Sequence, residues 1–223
     1  MKILAFDCSG KTISVAVATD TEVKAEAFVE ENRNHAPYLL PTIEKVLNAA
    51  QWQPGELDLI AVTTGPGSFT GLRIGLATAK GLGDTLHIPL VGVNTIDALA
   101  EHMANFPGII VPLLDARKNQ VYTAIYDNRQ GKMERTQPYC ALSPVQELLE
   151  LLSPYKEIAF LGDGADIWRQ QLEEVYGKRA IIARGAGNGV QARHIVTLAK
   201  GKESVSDLEP FYLRGVDAKA KFN

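Results

Sequence analysis

Cysteine is scarce in this chain: two in 223 residues, Cys8 and Cys140, with no Cys-x-x-Cys pair. That excludes a disulfide framework and a paired-cysteine metal knuckle, and free thiols fit a reducing compartment. Cys8 is expected to serve packing rather than chemistry. Histidine is almost as rare, and His35, His87, His102 and His194 stand nowhere at helical pair spacing, which argues against a zinc-protease site. His35, ahead of an apolar helix, is read as a surface or capping residue. No apolar run approaches the length of a membrane span. The N-terminal run Ile3-Leu4-Ala5-Phe6 reaches Asp7 too soon for a signal-peptide core, so the chain is expected to be cytoplasmic, without a membrane partner. Excess positive charge is also missing. A net charge of −3 lacks the basic stripe of a domain that grips nucleic acid by itself, so any RNA contact needs help.

What is present is an ordinary globular composition, 46% hydrophobic and 22% charged, enough for one large domain or two small ones. Lys2–Phe6, Thr12–Ala18 and Glu22–Val29 read as an antiparallel meander. Leu39, Leu40, Ile43, Val46, Leu47 and Ala50 then share one side of a helix that ends at Gln51-Trp52-Gln53-Pro54-Gly55. Pro41 inside that pattern is expected to start or kink the helix and leave Asn34–Leu40 irregular.

The apolar run Leu57–Val62 leads into Thr63-Thr64-Gly65-Pro66-Gly67-Ser68-Phe69-Thr70-Gly71-Leu72-Arg73-Ile74-Gly75, a strand, a glycine turn and a helix, with Thr70 as expected N-cap. Such a junction aims backbone N–H groups at whatever lies above it, so a phosphate, a carboxylate or a partner protein could dock there. A tight turn that needs glycine for its backbone angles explains the pattern equally. It is not a P-loop, for no Gly-Lys-Ser or Gly-Lys-Thr follows, nor a nucleophile elbow, since Pro66 and Thr70 occupy its glycine positions. A helix to Leu86, the strand Ile88–Val93 and a helix Thr95–Met103 follow.

A second copy starts near Gly108. Ile109–Asp115 is again an apolar strand ending in aspartate, and laying Asp7 on Asp115 without a gap sets Ile13 on Val121, Ala16 on Ala124 and Val17 on Ile125. Strands at Gln120–Tyr126 and Glu134–Tyr139, a helix Pro144–Leu152 capped by Ser143, the strand Ile158–Leu161 and a helix Asp166–Tyr176 complete it. Gly162-Asp163-Gly164 forms the second strand-glycine-helix junction. Arg184–Gly189 reads as a flexible connection. The expected fold is thus α/β and two-lobed, with mixed sheets and flanking helices, divided at 1–103 and 104–223. Asp7, Gly65, Gly67, Ser68, Asp115, Gly162 and Gly164 could line a cleft between the lobes that holds an anion or nucleotide. A salt bridge from Asp115 to Arg117, or a turn cap, is the structural alternative for Asp115.

These residues resemble the actin, sugar-kinase and Hsp70 superfamily, whose duplicated, ribonuclease H-like lobes close on ATP. Within it, Ile3–Ser9, His35 through Pro41, Thr64–Gly75 and Glu209–Arg214 resemble the TsaB (YeaZ) family along essentially the whole chain. The resemblance implies a non-catalytic partner of the TsaD subunit that installs threonylcarbamoyl on adenosine 37 of tRNAs reading codons beginning with A. A TsaE ATPase joins the complex, and tRNA is met only through it. The His-x-x-x-His metal motif of TsaD falls here on Thr95 and Leu99, and leucine cannot coordinate a metal. No metal or resident cofactor is therefore expected, and nucleotide at most weakly within the complex. A small-molecule kinase of the same fold and a metal-dependent glycopeptidase are the rival readings.

The helix after the glycine turn also carries Gly75, Gly81 and Gly83, each costing about 1 kcal/mol against alanine. Gly71, Gly75, Thr78, Ala79 and Leu82 make a smooth stripe, and Leu72 and Leu76 lie on another side. With Leu39, Leu40, Ile43, Val46 and Leu47, they are expected to build a two-helix platform that meets a related subunit, or a second copy when none is present. Simple burial within the chain is the alternative. The tail after Arg214 is expected to fray.

Overall fold

The structure is a computed structural model that describes residues 1–30, 35–143, 147–205 and 207–213. The first half contains strands β1 (Ile3–Asp7), β2 (Thr12–Ala18), β3 (Val23–Glu30), β4 (Leu59–Gly65) and β5 (Leu90–Asn94), with helices α1 (Ala36–Ala50), α2 (Phe69–Leu86) and α3 (Thr95–Ala100). Their sheet runs β3-β2-β1-β4-β5, antiparallel across the meander and parallel from β1 onward. Every residue of β1 is buried, because a central strand covered on both faces has no wet side.

The second half repeats the plan with β6 (Ile109–Asp115), β7 (Val121–Thr123), β8 (Tyr126–Asp127), β9 (Glu134–Arg135), β10 (Cys140–Leu142), β11 (Ile158–Leu161) and β12 (Ala180–Ile182), and with α4 (Glu147–Leu152), α5 (Asp163–Ile167), α6 (Arg169–Tyr176) and α7 (Ala192–Ala199). The order β10-β7-β6-β11-β12 matches the first sheet. The repeat is real, but its ungapped alignment is off by one. Asp7 pairs with Ser14 whereas Asp115 pairs with Val121, so the second hairpin is a residue shorter. Its turn is compressed through Arg117, Lys118 and Asn119, all left-handed.

Several expected boundaries move. Helix α1 begins at Ala36 and passes through Pro41. A proline this early removes one hydrogen bond and leaves the rest of the helix intact. The strand expected over 120–126 breaks after Thr123 and resumes as β8 beside the start of β6. The strand expected over 134–139 is replaced by β9 and β10, and the helix expected over 166–176 starts earlier and divides at Trp168. Residues 144–146, at the expected start of α4, and 214–223, which include the tail expected to fray, lie outside the described residues. Cys8 is buried as expected, and burial followed by the neighbouring Asp7 pushes its thiol well up.

Strand alternation sorts the core into layers. Leu4, Phe6, Ile60 and Val62 lie beneath α1 and α2, whereas Ile3, Ala5, Ala61 and Val93 point the other way, into a middle layer. Ile109, Val111 and Phe160 form the core with α4, α5 and α6. The middle layer does not respect the division at residue 103. Helix α3 packs on β6 of the second sheet, while α7 lies across β1, β2, β4 and β5 of the first. Each half lends a helix to the other. Ala192 N donates to the buried Ser14 hydroxyl at 2.7 Å, Lys200 Nζ reaches the Asp20 carbonyl at 2.6 Å, and Arg193 pairs with Glu26.

At the edge of this layer His102 and His194 meet edge to face, with ring centroids 5.5 Å apart. Burial, then His102, then Arg193 hold His194 down at about 4, and burial lowers His102. A histidine near 6.5 in the unfolded chain and lower in the fold binds more protons unfolded, so its contribution is intact above about pH 6.5 and lost as pH falls toward 4. The thermal midpoint should fall across that window, and His194→Gln should flatten the fall. An equally steep profile in the variant would assign it elsewhere.

Candidate functional site

Each Asp-terminated strand meets the glycine turn of its own half in direct contact. Asp7 ends β1 almost fully buried, and its carboxylate accepts from Ser9 N at 3.0 Å and from the Thr63 hydroxyl of β4. Burial raises its pKa, and the bonds from Thr63 and Ser9 oppose the rise. In the second half Asp115 accepts from Arg117 N at 2.8 Å and from the Arg117 guanidinium at 3.1 Å, the expected structural pairing. Its own N–H donates to Asp163 Oδ1 at 2.9 Å. Asp163 is raised by burial above all, with Lys11 near enough to pull it back.

The glycine run closes on the chain itself. Gly65 has φ of +121° and precedes a cis Pro66; a Cβ there would lie 2.5 Å from the Phe211 carbonyl. At Gly71 a Cβ would lie 2.0 Å from the Cys8 carbonyl, because α2 crosses the end of β1 in direct backbone contact. Gly67 lies against Ser9, and Gly162 and Gly164 against the Leu113 carbonyl. The cap of α2 is Ser68, not Thr70: its N–H is fixed on the Ser9 carbonyl at 2.7 Å, and its hydroxyl accepts from Gly71 N at 3.3 Å. Gly162 N donates to Asn188 Oδ1 at 2.5 Å, so the loop expected to be a flexible connection is tied to the second glycine turn.

These partners decide what the cleft can bind. The N–H groups of Ser9, Ser68, Gly71, Asp115, Arg117 and Gly162 each have an acceptor within the chain. Three of those acceptors are carboxylates, standing where a phosphate cradle needs open donors and little negative charge. These six amides are therefore not open donors for a phosphate. Thr95 and Leu99 are fully buried, and Leu99 packs near Gly162. Among the described residues no three His, Cys, Asp or Glu side chains gather as a metal site, and no helix is long and apolar enough to cross a membrane.

The two-helix platform has its smooth side inward. Gly75 faces Val62 and Cys8, and Gly71, Leu72, Leu76 and Ala79 are buried with it. Leu39, Ile43, Val46 and Leu47 are likewise sealed in the core of the first half. As direct contacts to a partner these nine residues are corrected: the stripe exists so that α2 can lie close on its own sheet. Thr78 and Leu82 are half-buried, and Leu40 is 53% exposed. The outward face carries residues that the helical pattern alone missed. Tyr38 is 44% and Phe69 38% exposed. Phe69 stacks on Tyr212 at 5.4 Å, beneath the Arg73 guanidinium at 3.9 Å, and Arg73 Nε donates to the Tyr212 hydroxyl at 3.3 Å. His35 lies against Gly71, which sets the N-terminal ends of α1 and α2 side by side. The signal for Phe69 was its place one residue after a serine cap, on the first, outward-facing turn.

The family model described as TsaD, tRNA N6-adenosine threonylcarbamoyltransferase, matches residues 29–214. The chain is 34% identical to the tRNA threonylcarbamoyladenosine biosynthesis protein TsaB of Bacillus subtilis, over 100% of this chain and 98% of that protein. Against the Escherichia coli TsaB it is 29% identical over 96% and 95%. The structure of YeaZ from Pseudomonas aeruginosa superposes with a TM-score of 0.78 at 26% identity, covering 95% of this chain and 99% of the other. A ROK hexokinase from Thermus thermophilus, at 14% identity and TM-score 0.53 over 89% of this chain and 98% of the other, shares the fold alone.

Proposed function

The chain belongs to the TsaB (YeaZ) family of tRNA threonylcarbamoyladenosine biosynthesis, and on that premise we propose that it is the non-catalytic scaffold and activating subunit of the modifying complex. Its partner in this reading is a TsaD-like catalytic subunit that modifies adenosine 37 of tRNAs reading codons beginning with A. A TsaE-like ATPase completes the complex, tRNA is met only through it, and the setting is cytoplasmic. The observation that carries the reading is the fate of the cleft amides. Six amides at the strand ends and glycine turns are held by the chain's own acceptors, three of them carboxylates, and so are not open to stabilise a transferring phosphoryl group. This weighs against the kinase rival.

The surface offered to the partner is the outward side of the helix pair, with Tyr38, Leu40 and Phe69 as its large apolar residues. Exposed aromatic and aliphatic side chains beside an arginine suit the centre of an interface. The same face would pair two copies when no partner is present. Leu40→Glu is expected to weaken binding of the TsaD-like subunit at least about tenfold, roughly 1.4 kcal/mol, by titration calorimetry. Leu151→Glu, at a position on α4 that is also exposed, should leave binding unchanged. Equal affinities for both variants would overturn the assignment of this face.

A further inference from the structure

Besides the bonds made by α7, a polar cluster that neither the cleft nor the helix platform uses joins the two halves. Asp97, in the first turn of α3, is half-buried between the sheets. Its Oδ1 accepts from the Tyr126 hydroxyl on β8 at 2.5 Å, and its Oδ2 from the Tyr139 hydroxyl just before β10 at 2.7 Å. A single carboxylate of the first half thus holds two phenols of the second. Burial and the adjacent carboxylate push both phenols well above their usual range, so they stay protonated donors.

Tyr139 extends the cluster in two directions. The Arg135 guanidinium lies 3.8 Å over its ring, and its edge meets Phe211, centroids 5.7 Å apart. Phe211 N donates to the Thr64 carbonyl at the end of β4, at 2.8 Å. The path therefore starts on α3, crosses to the second sheet and returns through the C-terminal segment to the first. Apolar packing in the middle layer is non-directional, and the bonds from α7 to Ser14 and Asp20 hold one helix rather than the strands of the second sheet. Hydrogen bonds to both oxygens of one carboxylate are directional.

We propose that Asp97, Tyr126 and Tyr139 form an interlobe lock that fixes the angle between the two sheets and makes this chain a rigid platform. A chain that serves as a platform gains from one setting of its halves. A partner that reads both halves meets them already aligned, and none of its binding energy goes into selecting a minor conformation.

The test uses the full chain with Cys140→Ser, spin-labelled through Asn48→Cys on α1 and Glu174→Cys on α6, both exposed positions. Distances between the labels are measured by double electron–electron resonance, and amide exchange is followed in parallel. Tyr126→Phe with Tyr139→Phe keeps both rings and removes both donors. The distance distribution should at least double in width, and exchange should accelerate tenfold or more in β8, β10 and 207–213 while β1 and β6 stay protected. An unchanged width with a lowered melting temperature would overturn the lock and leave the cluster a stability element only. Uniform acceleration over all strands would do the same. If the double variant fails to fold, Tyr139→Phe alone is read by the same two measurements. The readouts use no partner, so failure of the lock and failure of the proposed subunit role are distinguishable.

Discussion

Gly71→Ala should cost this protein about 3 kcal/mol or more of folding stability, a drop in melting temperature of roughly 6–12 °C for a chain of this size. The added methyl would lie 2.0 Å from the Cys8 carbonyl, with the His35 ring 3.2 Å away. Both obstructing chains are anchored. Ser68 is tied to Ser9, and Asp7 to Thr63, so neither α2 nor the end of β1 can retreat without breaking a buried hydrogen bond. The matched control is Gly81→Ala on the exposed side of the same helix, where nothing lies within 4 Å. That substitution should stabilise by about 0.5–1 kcal/mol through helix propensity and reduced freedom of the unfolded chain. Thermal or urea unfolding of the pair checks it. Two variants with the same sign would mean that close approach is not why Gly71 is glycine.

Ile195→Asp should unfold the whole chain rather than the half in which it lies. Ile195 is fully buried on α7, and the face it covers is built from Ile3, Ala5, Ala61 and Val93 of the first sheet. An unpaired carboxylate there costs several kcal/mol, a large part of the ~5–15 kcal/mol that domains possess. Because α3 is seated on β6 in return, loosening either sheet releases a helix from the other. Amide exchange should rise together in β1, β4 and β6. Protection kept in β1 and lost only in β6 and β11 would show that the halves fold independently. On the same grounds residues 1–103 alone should lack a cooperative unfolding transition.

Most of the plan was legible where the signal is local. The buried strands ending in Asp7 and Asp115 stood out because a central strand of a covered sheet is apolar at every position, and the two halves announced themselves through that shared ending. The cap of α2 was harder. Ser68 and Thr70 offer the same chemistry, and only the carbonyl of Ser9, distant in sequence, selects the first. The glycine stripe was read correctly as a close-packing surface and assigned to the wrong neighbour. Sequence periodicity reports that a face is smooth; it does not say whether β1 or another protein lies against it. The cleft is only half legible for a related reason, since a glycine turn shows that N–H groups can converge without showing which of them a carboxylate already holds. Nothing in α7 itself, an amphipathic helix of ordinary composition, reveals that its apolar side covers β1.

That exchange of helices bears on how the protein is made. Strands β1 to β5 leave the ribosome first, yet the face formed by Ile3, Ala5 and Val93 has only α3 against it until α7 is complete at residue 199, about 100 residues later. At bacterial-to-eukaryotic elongation speeds this is roughly 5–20 s during which a complete first sheet displays an apolar surface. The nascent chain must spend that interval collapsed, shielded by a chaperone, or still attached to the ribosome, and its final fold is reached only near the close of synthesis.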